Sequence, residues 1–205
     1  MRKLVFIIVF LLLSGCAATN KAIYTSPQHI KDRGDRLFEK VATCMNADGE
    51  KQAYTLFIME ENNARVDIYN NVIIGEGLLY AYDDNTVAFI FAHEISHIKL
   101  HHVRKNTALS VVTTGIFVAA GFVIPGIGLL NHIVNPLATN AYGKSHELAA
   151  DKMASESMTR CFGISIDEQV HILETFQKDT ATTGGGIWSG HPSWEDRIAN
   201  IKKSP

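Results

Sequence analysis

The chain is 205 residues long, with 19 Lys and Arg against 21 Asp and Glu and a formal net charge of −2. That length allows one domain of ordinary size once a leader is set aside. With so even a charge balance and no basic run, nucleic acid is not an expected partner.

Arg2 and Lys3 form a basic start, and Leu4 to Leu13 is an apolar run too short to span a bilayer as a helix. Leu13-Ser14-Gly15-Cys16 follows and resembles a bacterial lipoprotein signal, in which the Cys is lipidated and becomes the new N-terminus. The alternative is an ordinary secretory signal with an incidental Cys. Residues 1–15 are thus expected to be a signal peptide, and 16–28 a lipidated Cys16 and a polar tether. Residues 29–205 are left for the domain. Ala17 stands where an Asp would favour inner-membrane retention, so the expected location is the outer membrane, facing the periplasm, with the acyl chains (palmitate among them) as anchor.

The apolar spacing of Ile30, Leu37, Phe38, Val41 and Met45 predicts a helix over His29–Met45. Cys44 lies at its end and Cys161 far along the chain. An even pair in an oxidising compartment points to a disulfide, the alternative being two buried thiols. Ala53–Met59 and Ala64–Tyr69 read as strands joined in a hairpin by Glu60-Glu61-Asn62-Asn63, and Val72–Ile74 as a further short strand. Asp83-Asp84-Asn85 supplies capping chemistry for a helix expected from about Thr86 to Arg104.

That helix carries His93-Glu94-Ile95-Ser96-His97, an H-E-x-x-H motif. Residues four apart share a helix face, so the two imidazoles can hold one metal ion, with Glu94 in reach of a water beside it. Zinc suits such a site, because it takes nitrogen ligands and keeps one position open. Ala88 to Ala92 and Ile95 make the helix apolar on most sides. It should therefore be buried, and a buried His-Glu-His set needs partners. A third ligand is still required. Leu100 and Val103 stand where a metzincin would carry its Gly and third His, which excludes that class. A later helix, Tyr142–Arg160, offers Glu147 and Asp151 four apart: Glu147 as ligand, Asp151 as the group that orients a ligand imidazole.

From Asn106 to Tyr142 there is no Asp, Glu, Lys or Arg. By hydropathy Ala108–Ile124 could be one membrane span. Pro125, Gly126 and Gly128 break it early, and Asn131, His132, Asn135 and Asn140 are costly in lipid, so a helical hairpin packed on the motif helix is preferred. A Gly at position 163 ends the Tyr142–Arg160 helix, and Ser165 starts another that runs to about Lys178. His101, His132 and His171 are read as structural or exposed.

Three segments resemble the gluzincin zinc metallopeptidases of the HtpX and CAAX-prenyl-protease type, especially their small periplasmic lipoprotein members. They are Val72–His102, which ends in H-E-I-S-H-I-K-L-H-H; Ser145–Ala154, which holds the E-x-x-x-D pair; and His191-Pro192 followed by Asp196-Arg197-Ile198. Lys144-Ser145-His146 departs from the Arg that the family commonly places shortly before its Glu, and no helical repeat domain follows. The resemblance implies an α+β, mainly α, zincin-like domain with a small β-sheet next to the active-site helix. It implies one Zn2+ per chain on His93, His97 and Glu147, and Glu94 as general base and acid. The Val72–Ile74 strand is expected to pair with extended substrate, as edge strands do in related proteases. His191 follows Gly184–Gly186 and is expected either to stabilise the oxyanion or to act as a resting fourth zinc ligand. The implied activity is hydrolysis of misfolded or unassembled envelope proteins. The competing reading is a non-catalytic, zinc-stabilised lipoprotein acting as an assembly or scaffold factor.

Overall fold

The structure is a computed structural model and describes residues 25–46, 53–121, 131–183 and 194–203. Seven helices and three strands are found among them. Cys16, the apolar leader and His191 lie outside the described residues.

Helix α1 (Gln28–Met45) buries Ile30, Leu37, Phe38, Val41 and Met45, the face the spacing predicts, and sets Phe38 edge-on against Phe91 with centroids 5.3 Å apart. Gly34 lies on the same face and brings the helix close to the Ile58 and Leu79 side chains.

The sheet differs from expectation in its order. Strands β1 (Thr55–Met59), β2 (Ala64–Val66) and β3 (Asn71–Gly75) run β1-β3-β2. β1 is parallel to β3, pairing Leu56 with Val72, and β2 is antiparallel to β3, pairing Val66 with Val72. The hairpin is therefore β2–β3, not β1–β2. Its turn explains the change. The Asp67 carboxylate accepts hydrogen bonds from the backbone N–H groups of Tyr69 and Asn71 and from the Asn71 side chain, and Asn70 takes a left-handed φ of 67°. This ends β2 at Val66, short of the expected Tyr69. Gly75 closes β3 where the chain crosses Glu61, whose carbonyl oxygen would lie 1.9 Å from any Cβ placed there.

After the short α2 (Glu76–Ala81) comes α3 (Asp84–Lys99), which carries the H-E-x-x-H motif. Asp83 caps it, accepting from Thr86 N–H at 2.7 Å. Every residue from Thr86 to Ile98 is buried, as an all-round apolar helix requires. α3 packs on α1, the sheet and α5, and forms the centre of the core. It stops five residues before the expected Arg104. His101 takes a left-handed φ of 57°, and α4 (His102–Gly121) starts in a new direction.

α4 packs against α5 (Asn131–Phe162), in line with a helical hairpin, and no helix among the described residues is long and apolar enough to cross a membrane. Gly163, at φ 67°, ends α5. Ser165 and Glu168 cap α6 (Ile166–Thr183) reciprocally. α7 (Trp194–Ile201) packs on α5 and α6. Cys44 and Cys161 are joined, with Cα atoms 6.2 Å apart, which ties the end of α1 to the end of α5. The architecture is thus mainly α with a small sheet beside the motif helix, the α+β arrangement expected.

Candidate metal centre

α3 and α5 each present two groups one turn apart, and the helices pack so that the four meet. His93 Nε2 and His97 Nε2 are 3.0 Å apart. Glu147 reaches across with Oε2 3.2 Å from His93 Nε2 and Oε1 3.3 Å from His97 Nε2. All three residues are buried.

This donor set fits a zinc-like cation. Bonds of about 2.0–2.1 Å from a tetrahedral ion separate neighbouring ligand atoms by roughly 3.3–3.4 Å, close to the spacing observed. Two imidazole nitrogens and one carboxylate also leave a fourth direction for water or substrate. The electrostatics favour a cation. Burial alone would lower the pKa of His93, but Asp151 and Glu147 outweigh it and raise it to about 9.

Behind His93, Nδ1 lies 2.9 Å from Asp151 Oδ1. Asp151 is fully buried and is gripped by Arg197 in a two-pronged bond, Nε to Oδ2 at 2.7 Å and Nη2 to Oδ1 at 2.6 Å. Burial would raise the Asp151 pKa; the Arg197 charge and hydrogen bonds prevail and hold it at about 2. Arg197 is itself buried, comes from α7, and packs its guanidinium 4.8 Å from the centroid of the Trp194 ring.

Glu94 points into the same interior and is 2 % exposed. Burial raises its pKa to about 7, with Glu147 adding to the rise against the opposing charges of His93, Arg197 and Arg65. Arg65 lies on β2, which is an edge strand and packs against α3. The expected substrate strand, Val72–Ile74, is instead β3, paired on both sides and closed to a further strand.

Two further histidines lie against the centre. His102 Nδ1 is 3.0 Å from His97 Nδ1, and the His102 ring stacks on His146 at 3.9 Å and 4°. Burial, chiefly, pushes the His102 pKa down to about 3, and also lowers that of His146. His101 and His171 are exposed.

Sequence reasoning brought His93, His97, Glu94, Glu147 and Asp151 to this one place. It gave no role to Arg197 or His102. The signal for Arg197 was present, since a buried Asp151 needs a cation and the chain offers few Arg inside apolar spacing. His191 lies outside the described residues.

Residues 30–204 match the model of Peptidase family M48. The chain is also similar to the metalloprotease LoiP of Escherichia coli (strain K12), with 24% identity over 162 residues. That alignment covers 77% of this chain and 64% of LoiP, so the chain spans less than two thirds of that relative's length. A match of that extent, on a chain whose H-E-x-x-H helix meets Glu147 in one buried donor set, places it: the chain belongs to peptidase family M48, a family of metal-dependent peptidases.

Proposed function

We propose that the chain is a zinc-dependent endopeptidase of the bacterial cell envelope, anchored by lipid on Cys16 and acting on misfolded or unassembled envelope proteins. One observation carries the chemistry: the buried Nε2 atoms of His93 and His97 lie 3.0 Å apart, each within 3.3 Å of a Glu147 carboxylate oxygen, on a helix that also buries the Glu94 carboxyl. When bound, zinc supplies Lewis acidity, lowering the pKa of water toward neutrality and polarising the scissile carbonyl.

His93, His97 and Glu147 would hold the ion. Asp151 keeps the His93 proton on Nδ1 and leaves Nε2 free to donate its lone pair, and Arg197 keeps Asp151 ionised. Glu94 handles the transferred proton. A carboxyl whose pKa lies near 7 can take a proton from water and give it back to the leaving amine, and burial is what brings Glu94 there. An extended substrate would lie along β2, which pairs with β3 on one side only. We assign His191 to the resting state as a fourth ligand; the run Gly184–Gly186 before it and Pro192 behind it support this reading.

The envelope location rests on Leu13-Ser14-Gly15-Cys16 and Ala17, and the Cys44–Cys161 bond suits an oxidising compartment. The metalloprotease LoiP, by its name, supports the activity class. Cleavage of an unfolded protein by the purified chain, with and without chelator, tests the reading. Activity is expected to need metal and to disappear in Glu94→Gln. Metal retained without any hydrolysis by the wild-type chain would favour a zinc-stabilised scaffold instead. Membrane fractionation of Cys16→Ala, expected to release the chain from the outer membrane, tests the anchor.

A further inference from the structure

We propose that His102 is a positioning residue for the metal. Its imidazole accepts the Nδ1 proton of His97 and so fixes the tautomer and the ring plane with which His97 presents Nε2. The inference rests on the metal centre proposed above and deepens it.

The argument starts from proton counting. His97 Nε2 faces His93 Nε2 at 3.0 Å and Glu147 Oε1 at 3.3 Å, so this is its ligand side. A nitrogen that gives its lone pair to a metal carries no proton, and the His97 proton must then sit on Nδ1. That atom lies 3.0 Å from His102 Nδ1. Two nitrogens at this distance are satisfied by one proton. Two protons would collide, and none would leave lone pairs facing each other in a buried site. His102 Nδ1 is therefore bare, and its own proton is on Nε2.

The placement of His102 is built, not incidental. On an unbroken helix a residue five positions on would point about 140° away from His97. The chain instead leaves α3 at Lys99, turns through the left-handed His101, and starts α4 with His102 folded back on His97. The ring is 3% exposed and lies flat on His146, which fixes its plane. The two ligand imidazoles are thus backed differently. His93 leans on a carboxylate, Asp151, and His97 on a second imidazole, which orients it through one hydrogen bond.

The experiment is zinc affinity of the full chain by competition with a chromophoric chelator, together with the visible spectrum of the Co2+-substituted protein. His102→Phe keeps a ring to stack on His146 but removes the acceptor. It is expected to weaken zinc binding by about 10–100-fold and to change the Co2+ bands. His102→Asn, whose Oδ1 can stand where Nδ1 does, is expected to restore most of that affinity. Wild-type affinity and spectrum in a folded His102→Phe overturn the inference and leave the metal centre standing. Equal losses in Phe and Asn also overturn it, because packing and not the acceptor would then matter. If His102→Phe does not fold, 15N spectra of histidine-labelled wild-type chain decide. A protonated His102 Nδ1 overturns the inference, and a bare one beside a protonated His97 Nδ1 supports it. A wild-type chain that binds no zinc removes both the centre and this refinement.

Discussion

Glu94 and Glu147 are both buried carboxyls, yet substitution should separate them. Glu147→Gln removes a charged ligand and is expected to lower metal content, measured by elemental analysis of the purified chain. Glu94→Gln is expected to keep the metal and to lower cleavage by about 10²–10⁴-fold, read as turnover of an unfolded substrate. Arg197 tests a different effect. Arg197→Met leaves Asp151 inside without its cation, and a buried pair broken in this way costs about 3–5 kcal/mol, measurable by urea unfolding. Adding Asp151→Asn to that variant should recover part of the loss, since the stranded charge is gone. At this scale the sequence was a good guide where spacing is local. His93 with His97, and Glu147 with Asp151, are each one turn apart, and a helix does the rest. A buried Asp151 asks for a cation, but which one was not legible, because Arg197 is 46 residues away and only the packing of α7 on α5 brings them together.

Among the elements, two features escape sequence reading for the same physical reason: a left-handed residue that is not glycine. Asn70 makes β2–β3 the hairpin, and His101 ends α3 five residues early. Asn tolerates this region and Asn70-Asn71 does read as a turn, though not as one that settles the strand pairing; His101 gives no such sign, whereas Gly163 marked its helix end. An L-residue in this region costs about 1–2 kcal/mol. His101→Gly is therefore expected to raise stability by up to about 1 kcal/mol after the entropic cost of glycine, with zinc affinity unchanged, as thermal unfolding and metal titration would show. A second link between elements is sensitive to alkali. Tyr82 donates a hydrogen bond to Asp179 at 2.5 Å, tying the end of α2 to α6. Burial and the Asp179 charge raise the Tyr82 pKa above its ordinary 10.0. The stabilisation from this protonated phenol is fully present below pH 10 and is lost as pH climbs through the raised value. Tyr82→Phe should flatten the alkaline limb of a stability–pH profile.

Over the whole molecule, the Cys44–Cys161 bond encloses α3, the sheet and most of α5 in one covalent loop with a sequence separation of 117. In the chain-entropy account a loop of that length contributes roughly 4–5 kcal/mol. Reduction is expected to slow the band on a denaturing gel and to lower the unfolding midpoint, and two freely alkylated thiols in the native chain would contradict the bond. The mainly helical class and the sheet beside α3 are what the resemblance implies, and the apolar periodicity of α1 and the all-round apolar α3 agree with it. Strand order did not, since three short strands can pair in several ways and only the Asp67 turn decides among them.

Arg197 comes from α7, close to the last described residues, while His93 lies near the middle of the chain. A chain emerges N-terminus first, so Asp151 is made 46 residues before the cation that holds its carboxylate ionised. Until then Asp151 has no guanidinium to grip and the centre cannot reach its final electrostatics. The centre is thus completed by one of the last described elements: a product truncated before α7 would carry the metal-binding helix without the cation that sets the charge of Asp151.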